Sequence, residues 1–440
     1  MGEEVCSCIA TCFVRTKLNF LGVPLPAKTF PLLKLIGPFQ QIITFRDAAP
    51  RGPLRDEDLD VIHDGGILVE NDRIAAVGNF EYLYFEYEPE DVEEIDVPAV
   101  AFPGFIDCHT HVCYAGTRVN DFAQRNAGVS YLDIARAGGG IRSTVQHTRN
   151  ESFLNLARHL EARLLDQLYH GITTTEVKSG YGLDLDTEIR MLRVINELGR
   201  EPTWDLVPTC LAAHVVPEGF PSARAYCGFI LEELVPRIRE EQLCQRFDIF
   251  VEDTAFDLET ARWYLNELKK EGFELTLHGD QFTAGGSRLA VEVGARSVDH
   301  LEVSGPEEIA LLARSETVPV VLPGASLGLG IPFAPARKIL DAGCSLAIAS
   351  DWNPGSGPMG NLTAQIGILA AYEKLTCAEV MAGITYRAAR ALGLSDRAQI
   401  AENYRADFNC YVTDDWREIV YRQGGLGDAF MVWKNGERVV

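Results

Sequence analysis

Two histidines separated by a single residue, His109 and His111, are the part of this sequence whose residue types most clearly indicate chemistry. They follow an apolar run, residues 101–108, of the kind that forms a buried strand. Alternate side chains of a strand point to the same face, so both imidazoles can bind one metal ion. A protein-bound metal with an open coordination position binds water and makes it a stronger nucleophile. The pair therefore predicts metal-assisted hydrolysis.

Three further candidate ligands stand where other strand-like runs end: His278, His300 and Asp351. Each of them alone is also compatible with a buried histidine or a helix-capping aspartate. Imidazole and carboxylate groups together suit zinc or iron. We therefore predict one metal ion, Zn²⁺ or Fe²⁺/Fe³⁺, ligated by His109, His111, His278 and Asp351. The sequence leaves open whether His300 is a further ligand.

Asp351 and His300 are also the candidates for proton transfer. A carboxylate beside both metal and water can accept a proton, and a nearby imidazole can stabilise a developing oxyanion or pass the proton on. We therefore expect these two residues to be catalytic.

Eight strand-like runs alternate with amphipathic helical stretches between residues 101 and 394. Their predicted ends lie near His111, Lys178, His214, Glu252, His278, His300, Pro323 and Asp351. Functional residues that recur at the carboxyl ends of eight strands favour a (β/α)8 TIM barrel in the α/β class. A doubly wound sheet is the alternative, but it gives no reason for ligands to recur around the whole set of strands.

The two ends of the chain have similar strand and turn patterns. We expect residues 34–100 and 395–440 to build one small composite β-sandwich domain beside a barrel hydrolase domain of residues 101–394. A hairpin is predicted where residues 64–70 and 73–78 are joined by two turn residues. Residues 1–33 follow no clear period and remain an unassigned N-terminal extension.

Composition limits the partners that we expect. The formal net charge is −23, from 40 basic and 63 acidic residues, which disfavours binding to nucleic acid or to an anionic membrane. An anionic substrate then needs a cationic group inside the site. Eleven cysteines without a CxxC pair suit a reducing cytoplasm. The absence of a long apolar run or a signal peptide predicts a soluble protein.

Several residues near the predicted strand ends have two interpretations. Arg118 is either a surface arginine or a clamp for a carboxylate, and Tyr181 and His214 are either core or pocket residues. Lys178 either forms an ion pair, with Glu176 or Asp184, or lies near substrate. Residues 351–356 form either an ordinary turn or one that exposes the Asn353 amide beside the metal.

The motifs in the barrel region resemble those of the amidohydrolase superfamily and, within it, the imidazolonepropionase family. The matching stretches are residues 103–111, 134–141, 176–183, 213–214, 252–253, 278–281, 298–301 and 350–355, with residues 35–38 and 64–67 in the amino-terminal sheet. The resemblance implies hydrolytic opening of 4-imidazolone-5-propanoate, a small anionic heterocycle, to N-formimidoyl-L-glutamate. It also implies a homodimer.

The resemblance further assigns substrate contacts. Arg118 would pair with the propionate carboxylate, Tyr181 and His214 would contact the substrate, and the ring or product would be lined by Gln281, Asn353, Gly355 and Ser356.

The number of metal ions can be inferred from the predicted fourth strand. Two-metal hydrolases of this architecture often bridge the ions with a carboxylated lysine on that strand, and residues 247–253 contain no lysine. One ion is therefore favoured.

Two departures from the family pattern bear on the alternatives. Gln281 stands where some relatives have glutamate, and an amide cannot act as a base, so catalysis would depend on Asp351 and His300. Residues 323–330 lack the aromatic pair of the corresponding loop in many relatives.

The nearest alternative function is that of a deaminase or cyclic amidase acting on another heterocycle. A deaminase is disfavoured because such enzymes commonly have a glutamate where this chain has Gln281. A non-catalytic scaffold is disfavoured because all four ligands are present.

Overall fold

The computed structural model describes residues 33–129, 133–134 and 137–440. The unassigned extension therefore lies outside the described residues, apart from Leu33, which begins the first strand.

A parallel sheet of eight strands forms the centre of the larger domain. The strands follow one another in chain order around the sheet: β6 (Phe105–Asp107), β7 (Ile172–Lys178), β8 (Leu206–Ala213), β9 (Arg246–Ile249), β10 (Glu274–Gly279), β11 (Ser297–His300), β12 (Val318–Val321) and β13 (Ala347–Ile348). β7 is buried along its whole length, as expected for strands covered on both faces.

The first and last strands meet through residues just beyond their ends. The His111 amide donates to the Trp352 carbonyl at 2.9 Å, and the Asp351 amide donates to the His109 carbonyl at 3.2 Å. These bonds close the barrel at the candidate metal ligands. The predicted TIM barrel is confirmed, and the doubly wound alternative is wrong.

Amphipathic helices cover the barrel. The helix Leu185–Leu198 begins where the Asp184 side chain accepts from the Thr187 amide, an N-cap that satisfies a free donor of the first turn. The remaining barrel helices are Val119–Asn126, Ile141–Asn150, Phe153–Tyr169, Ala223–Phe229, Val235–Glu241, Leu258–Lys270, Gly286–Val293, Pro306–Ala313, Pro323–Leu329, Ala336–Asp341, Leu362–Glu373, Cys377–Gly383 and Tyr386–Leu392, with a π-helical turn at Ile230–Leu234. The glycine-rich run after β12, treated above as a loop, therefore forms a short helix that begins at a proline.

A mixed sheet from both chain ends forms the second domain. Its strands are β1 (Leu33–Ile43), β2 (Val61–Glu70), β3 (Arg73–Asn79), β4 (Asp91–Glu94), β5 (Ala99–Pro103), β14 (Phe408–Val412), β15 (Met431–Lys434) and β16 (Glu437–Arg438), with a 3-10 turn at Asp56–Asp58 and helices at Phe80–Tyr87 and Glu418–Tyr421. The order is β16-β15-β14-β5-β1-β2-β3, and β4 pairs with β1. The antiparallel pairing of β5 with β14 joins the two chain ends.

The predicted hairpin forms between β2 and β3. β5 pairs within the mixed sheet along its full length, so the predicted boundary at residue 101 falls inside a strand. We propose the division into an end-built sheet domain and a barrel domain with this boundary moved to the end of β5. Among the described residues, no helix combines the length and apolarity needed to cross a membrane.

Candidate metal centre

Three imidazoles and one carboxylate converge at the carboxyl end of the barrel. His109 and His111 follow β6, His278 lies in β10 and Asp351 follows β13. The Nε2 atoms of His111 and His278 are 3.2 Å apart. Asp351 Oδ1 is 3.5 Å from His111 Nε2 and 3.7 Å from His109 Nε2. The three histidines form a group able to hold a metal ion.

These separations fit the coordination shell of one ion. A tetrahedral ion with bonds of about 2.0–2.1 Å holds its ligand atoms roughly 3.4 Å apart. Among the residues that the structure describes, none is a hydrogen-bond partner of the buried His109 Nε2, which is costly unless an additional ligand or ion satisfies this atom. The donor set, neutral nitrogen plus carboxylate oxygen, is the one that zinc and iron accept. The residues present therefore fit a metal ion.

Burial keeps the imidazoles uncharged. It holds the pKa of His109 and of His111 well below the ordinary range, and neighbouring cationic groups lower each further. Burial lowers the pKa of His278 to about 4, and it raises the pKa of Asp351 to about 6. Uncharged imidazoles have a free lone pair, so a cation is the group that this pocket favours.

Two buried carboxylates orient the imidazoles from behind. His109 Nδ1 donates to Asp299 at 2.6 Å, and His278 Nδ1 donates to Asp248 at 3.0 Å. With the proton on Nδ1, each ring directs its Nε2 lone pair into the centre of the site. The sequence analysis did not identify these partners. The sequence did contain a signal for them. Asp248 and Asp299 are acidic residues inside strands β9 and β11, which flank the strand β10 that holds the predicted ligand His278.

Lys178 connects the two halves of the site. Its ammonium group lies 2.9 Å from both Glu176 and Asp248, and all three side chains are buried. Glu176 in turn accepts from the amide of Thr110, between the first two histidines. Burial alone lowers the pKa of Lys178, but the two carboxylates raise it above its ordinary value. Of the two interpretations of Lys178, the ion pair is therefore the correct one. Glu176 is a partner as expected, and Asp248 is the second partner.

The expected alternative partner, Asp184, lies elsewhere. Its carboxylate caps the helix Leu185–Leu198 and pairs with Arg149 at 2.8 Å. The prediction that Asp184 pairs with Lys178 is wrong, because the Asp184 carboxylate instead caps the helix that begins next to it.

Backbone strain accompanies the predicted catalytic residues. Asp351 has a φ of 49° and His300 a φ of 90°, values that residues other than glycine rarely adopt. Such strain concentrates at functional sites, where the surrounding structure stabilises it. Here the Asn353 amide group donates to the Asp351 carbonyl at 2.7 Å.

His300 lies beside the three histidines. Its ring centre is 5.3 Å from that of His278, and Nδ1 is 3.5 Å from a carboxylate oxygen of Glu302. Burial opposes the charged imidazole, but Glu302 raises the pKa of His300 above the ordinary value. Sequence reasoning did not identify Glu302, which is held by a hydrogen bond from Ser326 at 3.3 Å.

The predicted substrate residues next to the imidazoles form one wall. The His214 ring stacks on that of His111 with centres 5.3 Å apart, and Tyr181 lies 5.4 Å from His214. His214 Nδ1 donates to the Gly180 carbonyl at 3.0 Å, which leaves its Nε2 as an acceptor. The Arg118 guanidinium carbon is 5.9 Å from the centre of the Tyr181 ring.

The turn after β13 completes this wall. A β-carbon at Gly355 would overlap the Arg118 guanidinium, so glycine is required for this close approach. Asn353 Oδ1 accepts from the amides of Gly355 and Ser356 at 2.7 and 2.8 Å. Both ends of the Asn353 side chain are hydrogen-bonded within this turn, so the side chain stabilises the turn.

Gln281 is buried two residues beyond β10. The loop that carries it is fixed by Glu252, which accepts from the Phe282 amide at 2.9 Å and the Thr283 hydroxyl at 2.6 Å. Sequence reasoning noted residues 252–253 only as a motif, and the hydrogen bonds give this stretch a structural role.

Comparison with known proteins agrees with this arrangement. Residues 156–440 match the model of the amidohydrolase family. The chain is 42% identical to the imidazolonepropionase of Deinococcus radiodurans, over 88% of this chain and 94% of that protein. It is 41% identical to the imidazolonepropionase of Rubrobacter xylanophilus, over 88% and 94%.

Solved structures share the fold at low sequence identity. A zinc-bound adenosine deaminase from Xanthomonas campestris superposes with a TM-score of 0.69 at 17% identity, covering 93% of each chain. Atrazine chlorohydrolase from Arthrobacter aurescens, complexed with zinc, gives a TM-score of 0.66 at 18% identity, covering 92% of this chain and 95% of its own. By its relatives and its fold, the chain belongs to the amidohydrolase family and, within it, to the imidazolonepropionases.

Proposed function

We propose that this chain hydrolyses 4-imidazolone-5-propanoate to N-formimidoyl-L-glutamate. The observation that carries the proposal is the convergence of three uncharged imidazoles and Asp351 within a few ångströms of one another. The relatives named imidazolonepropionase, about 40% identical over most of the chain, support this choice of substrate.

His109, His111, His278 and Asp351 would hold a single ion, zinc or iron. Such an ion supplies a water molecule of lowered pKa and polarises the oxygen under attack. The free Nε2 of His109 and the lone-pair orientation imposed by Asp248 and Asp299 support this ligand set.

Asp351 would accept the proton of the attacking water. As a ligand of the ion, 3.5 Å from His111 Nε2 and 3.7 Å from His109 Nε2, its carboxylate would stand next to the water that the ion holds. Water adds to the ring carbonyl carbon, the carbon–nitrogen bond breaks, and the proton moves from Asp351 to the departing nitrogen. His300, oriented by Glu302, would donate a hydrogen bond to the carbonyl oxygen as it gains negative charge.

Arg118 would bind the propionate carboxylate. Tyr181 and His214 would contact the substrate, while Gln281, Asn353, Gly355 and Ser356 would line the ring or the product. A guanidinium held next to a wall of aromatic rings supports this arrangement, since a net negative protein needs a local cation to bind an anion. By analogy with the family, we also propose a cytoplasmic homodimer.

Replacing Arg118 should weaken substrate binding more than it slows the chemistry. We expect Arg118→Ala to raise KM roughly 10- to 100-fold, the cost of losing a charge-assisted hydrogen bond pair, with kcat changed far less. Steady-state kinetics measures both. Arg142→Ala is the matched control, because Arg142 is exposed and pairs with Glu218. An unchanged KM for Arg118→Ala would remove Arg118 from the substrate site.

Removing the metal should destabilise the fold. Without the ion, the buried Nε2 of His109 finds no hydrogen-bond partner among the described residues, and no cation offsets the buried carboxylate of Asp351. Saturation at about 100 times Kd contributes roughly 2.7 kcal/mol, so chelation should lower Tm and added zinc or iron should restore it. His278→Ala should remove most of the response to metal. Equal Tm values for wild-type protein with and without chelator would contradict the ligand set.

The function is tested by incubating metal-loaded protein with freshly prepared 4-imidazolone-5-propanoate and following the loss of ring absorbance. We expect turnover without release of ammonia. Failure to consume this compound, together with turnover of an amino-heterocycle or a hydantoin, would assign the chain to a deaminase or cyclic amidase. The absence of any turnover, with metal bound, would favour the scaffold.

A further inference from the structure

One face of the helix Ile141–Asn150 points towards the segment between the metal ligands and Arg118. Its buried residues are Thr144, Val145 and Thr148. The two threonines stand four residues apart, one helical turn, so their hydroxyls share this face. A threonine inside a helix often bonds its own backbone, but these two bond across to another segment.

The two hydroxyls bind opposite ends of a short stretch that follows His111. Thr148 Oγ1 accepts from the Ala115 amide at 3.2 Å. Thr144 Oγ1 accepts from Arg118 Nε at 2.7 Å. The helix therefore fixes both the chain that leaves the metal centre and the guanidinium at its end.

The bond to Thr144 restricts how Arg118 can bind an anion. A guanidinium binds a carboxylate either through Nε and one terminal nitrogen or through the two terminal nitrogens. With Nε bonded to Thr144, only the second fork is left for substrate. The guanidinium also lies against Gly355, where a β-carbon would overlap its terminal nitrogen Nη1. The hydroxyl thus fixes Nε, and the glycine leaves room for the terminal nitrogens of the fork.

We propose that Thr144 is a positioning residue that sets the preference of this site for a substrate carboxylate. The inference rests on the proposed function and deepens it: Thr144 orients Arg118 so that its end-on fork, rather than the fork that includes Nε, meets the carboxylate. Pre-organisation of this kind removes part of the entropy cost of binding.

Three variants test the proposal. Thr144→Val keeps the shape and removes the acceptor, and Thr144→Ser keeps the acceptor. Thr148→Val, on the same helix face, removes the bond to Ala115 instead. The probes are imidazole-4-propionate, which has a carboxylate but no lactam to hydrolyse, and its neutral propionamide. The measurement is the ratio of their inhibition constants, with KM and kcat for the substrate.

We expect wild-type protein, Thr144→Ser and Thr148→Val to prefer the acid over the amide to a similar degree. Thr144→Val should lose roughly tenfold of this preference and raise KM with kcat nearly unchanged. In an Arg118→Ala background the Thr144→Val change should have no further effect on KM. If Thr144→Val does not fold, Thr144→Ala carries the same expectation.

An acid preference that is equal in Thr144→Val and wild type would overturn the inference. So would equal losses in Thr144→Val and Thr148→Val, because they would indicate helix packing alone. If wild-type protein does not hydrolyse the imidazolone, the proposed function fails. Retained turnover with an unchanged preference refutes only the role of Thr144.

Discussion

Asp351→Asn is expected to lower kcat by roughly 10³- to 10⁴-fold, the upper range for loss of a positioned general base and metal ligand. The amide keeps the shape of the carboxylate and can still offer an oxygen, but it cannot accept a proton. The effect should fall on kcat, because Arg118 still binds the substrate. Kinetics with metal content measured on the same sample separates loss of proton transfer from loss of the ion.

Asp186→Asn is the control for this variant, since Asp186 is exposed in the first turn of the helix Leu185–Leu198 and is not one of the candidate site residues. We expect wild-type kinetics from it. Substantial turnover by metal-loaded Asp351→Asn would mean that the proton goes elsewhere, with His300 the next candidate.

Lys178→Met is expected to lower the free energy of unfolding by about 3–5 kcal/mol, the usual cost of breaking a buried ion pair on one side. Lys178 neutralises two carboxylates, Glu176 and Asp248, that are as buried as itself. Without the ammonium group, one of them must become protonated or turn away. A displaced Asp248 would release His278, so metal affinity should also change.

Urea unfolding of the variant and the wild type measures this loss. Lys270→Met is the matched control, because Lys270 pairs with Glu267 at 2.7 Å on the exposed surface, where such pairs contribute less than about 1 kcal/mol. Glu176→Gln added to Lys178→Met should recover part of the stability by removing one unpaired charge. Equal urea midpoints for Lys178→Met and Lys270→Met would contradict the central role of Lys178.

The barrel and the positions of the candidate ligands could be predicted because both depend on local pattern. Apolar residues mark β8, β12 and β13, and parallel strands align their carboxyl ends on one side of the sheet. His109 and His278 therefore had to meet once the fold was right. The interpretation of Arg118 needed the family resemblance, since an arginine in a loop has no local pattern that separates surface from pocket.

Residue partners across the barrel could not be predicted. Lys178 pairs with Asp248 rather than with Asp184 because β7 and β9, which are separated by β8 in the sheet, bring these two buried side chains within 2.9 Å of each other. This contact depends on the register of all three strands. Asp299 and Glu302 likewise acquire their roles only when β11 lies beside the histidines. The contact of Thr144 with Arg118 requires the packing of a helix on an irregular segment, which periodicity does not specify.

The most direct test of the metal centre is anomalous diffraction from crystals of metal-loaded protein, with data on both sides of the zinc and iron absorption edges. We predict one anomalous peak per chain, within about 2.0–2.3 Å of the three imidazole nitrogens and of Asp351. The edge at which it appears identifies the metal. A peak away from His109, His111 and His278, two peaks in the barrel, or none in fully loaded protein would contradict the account.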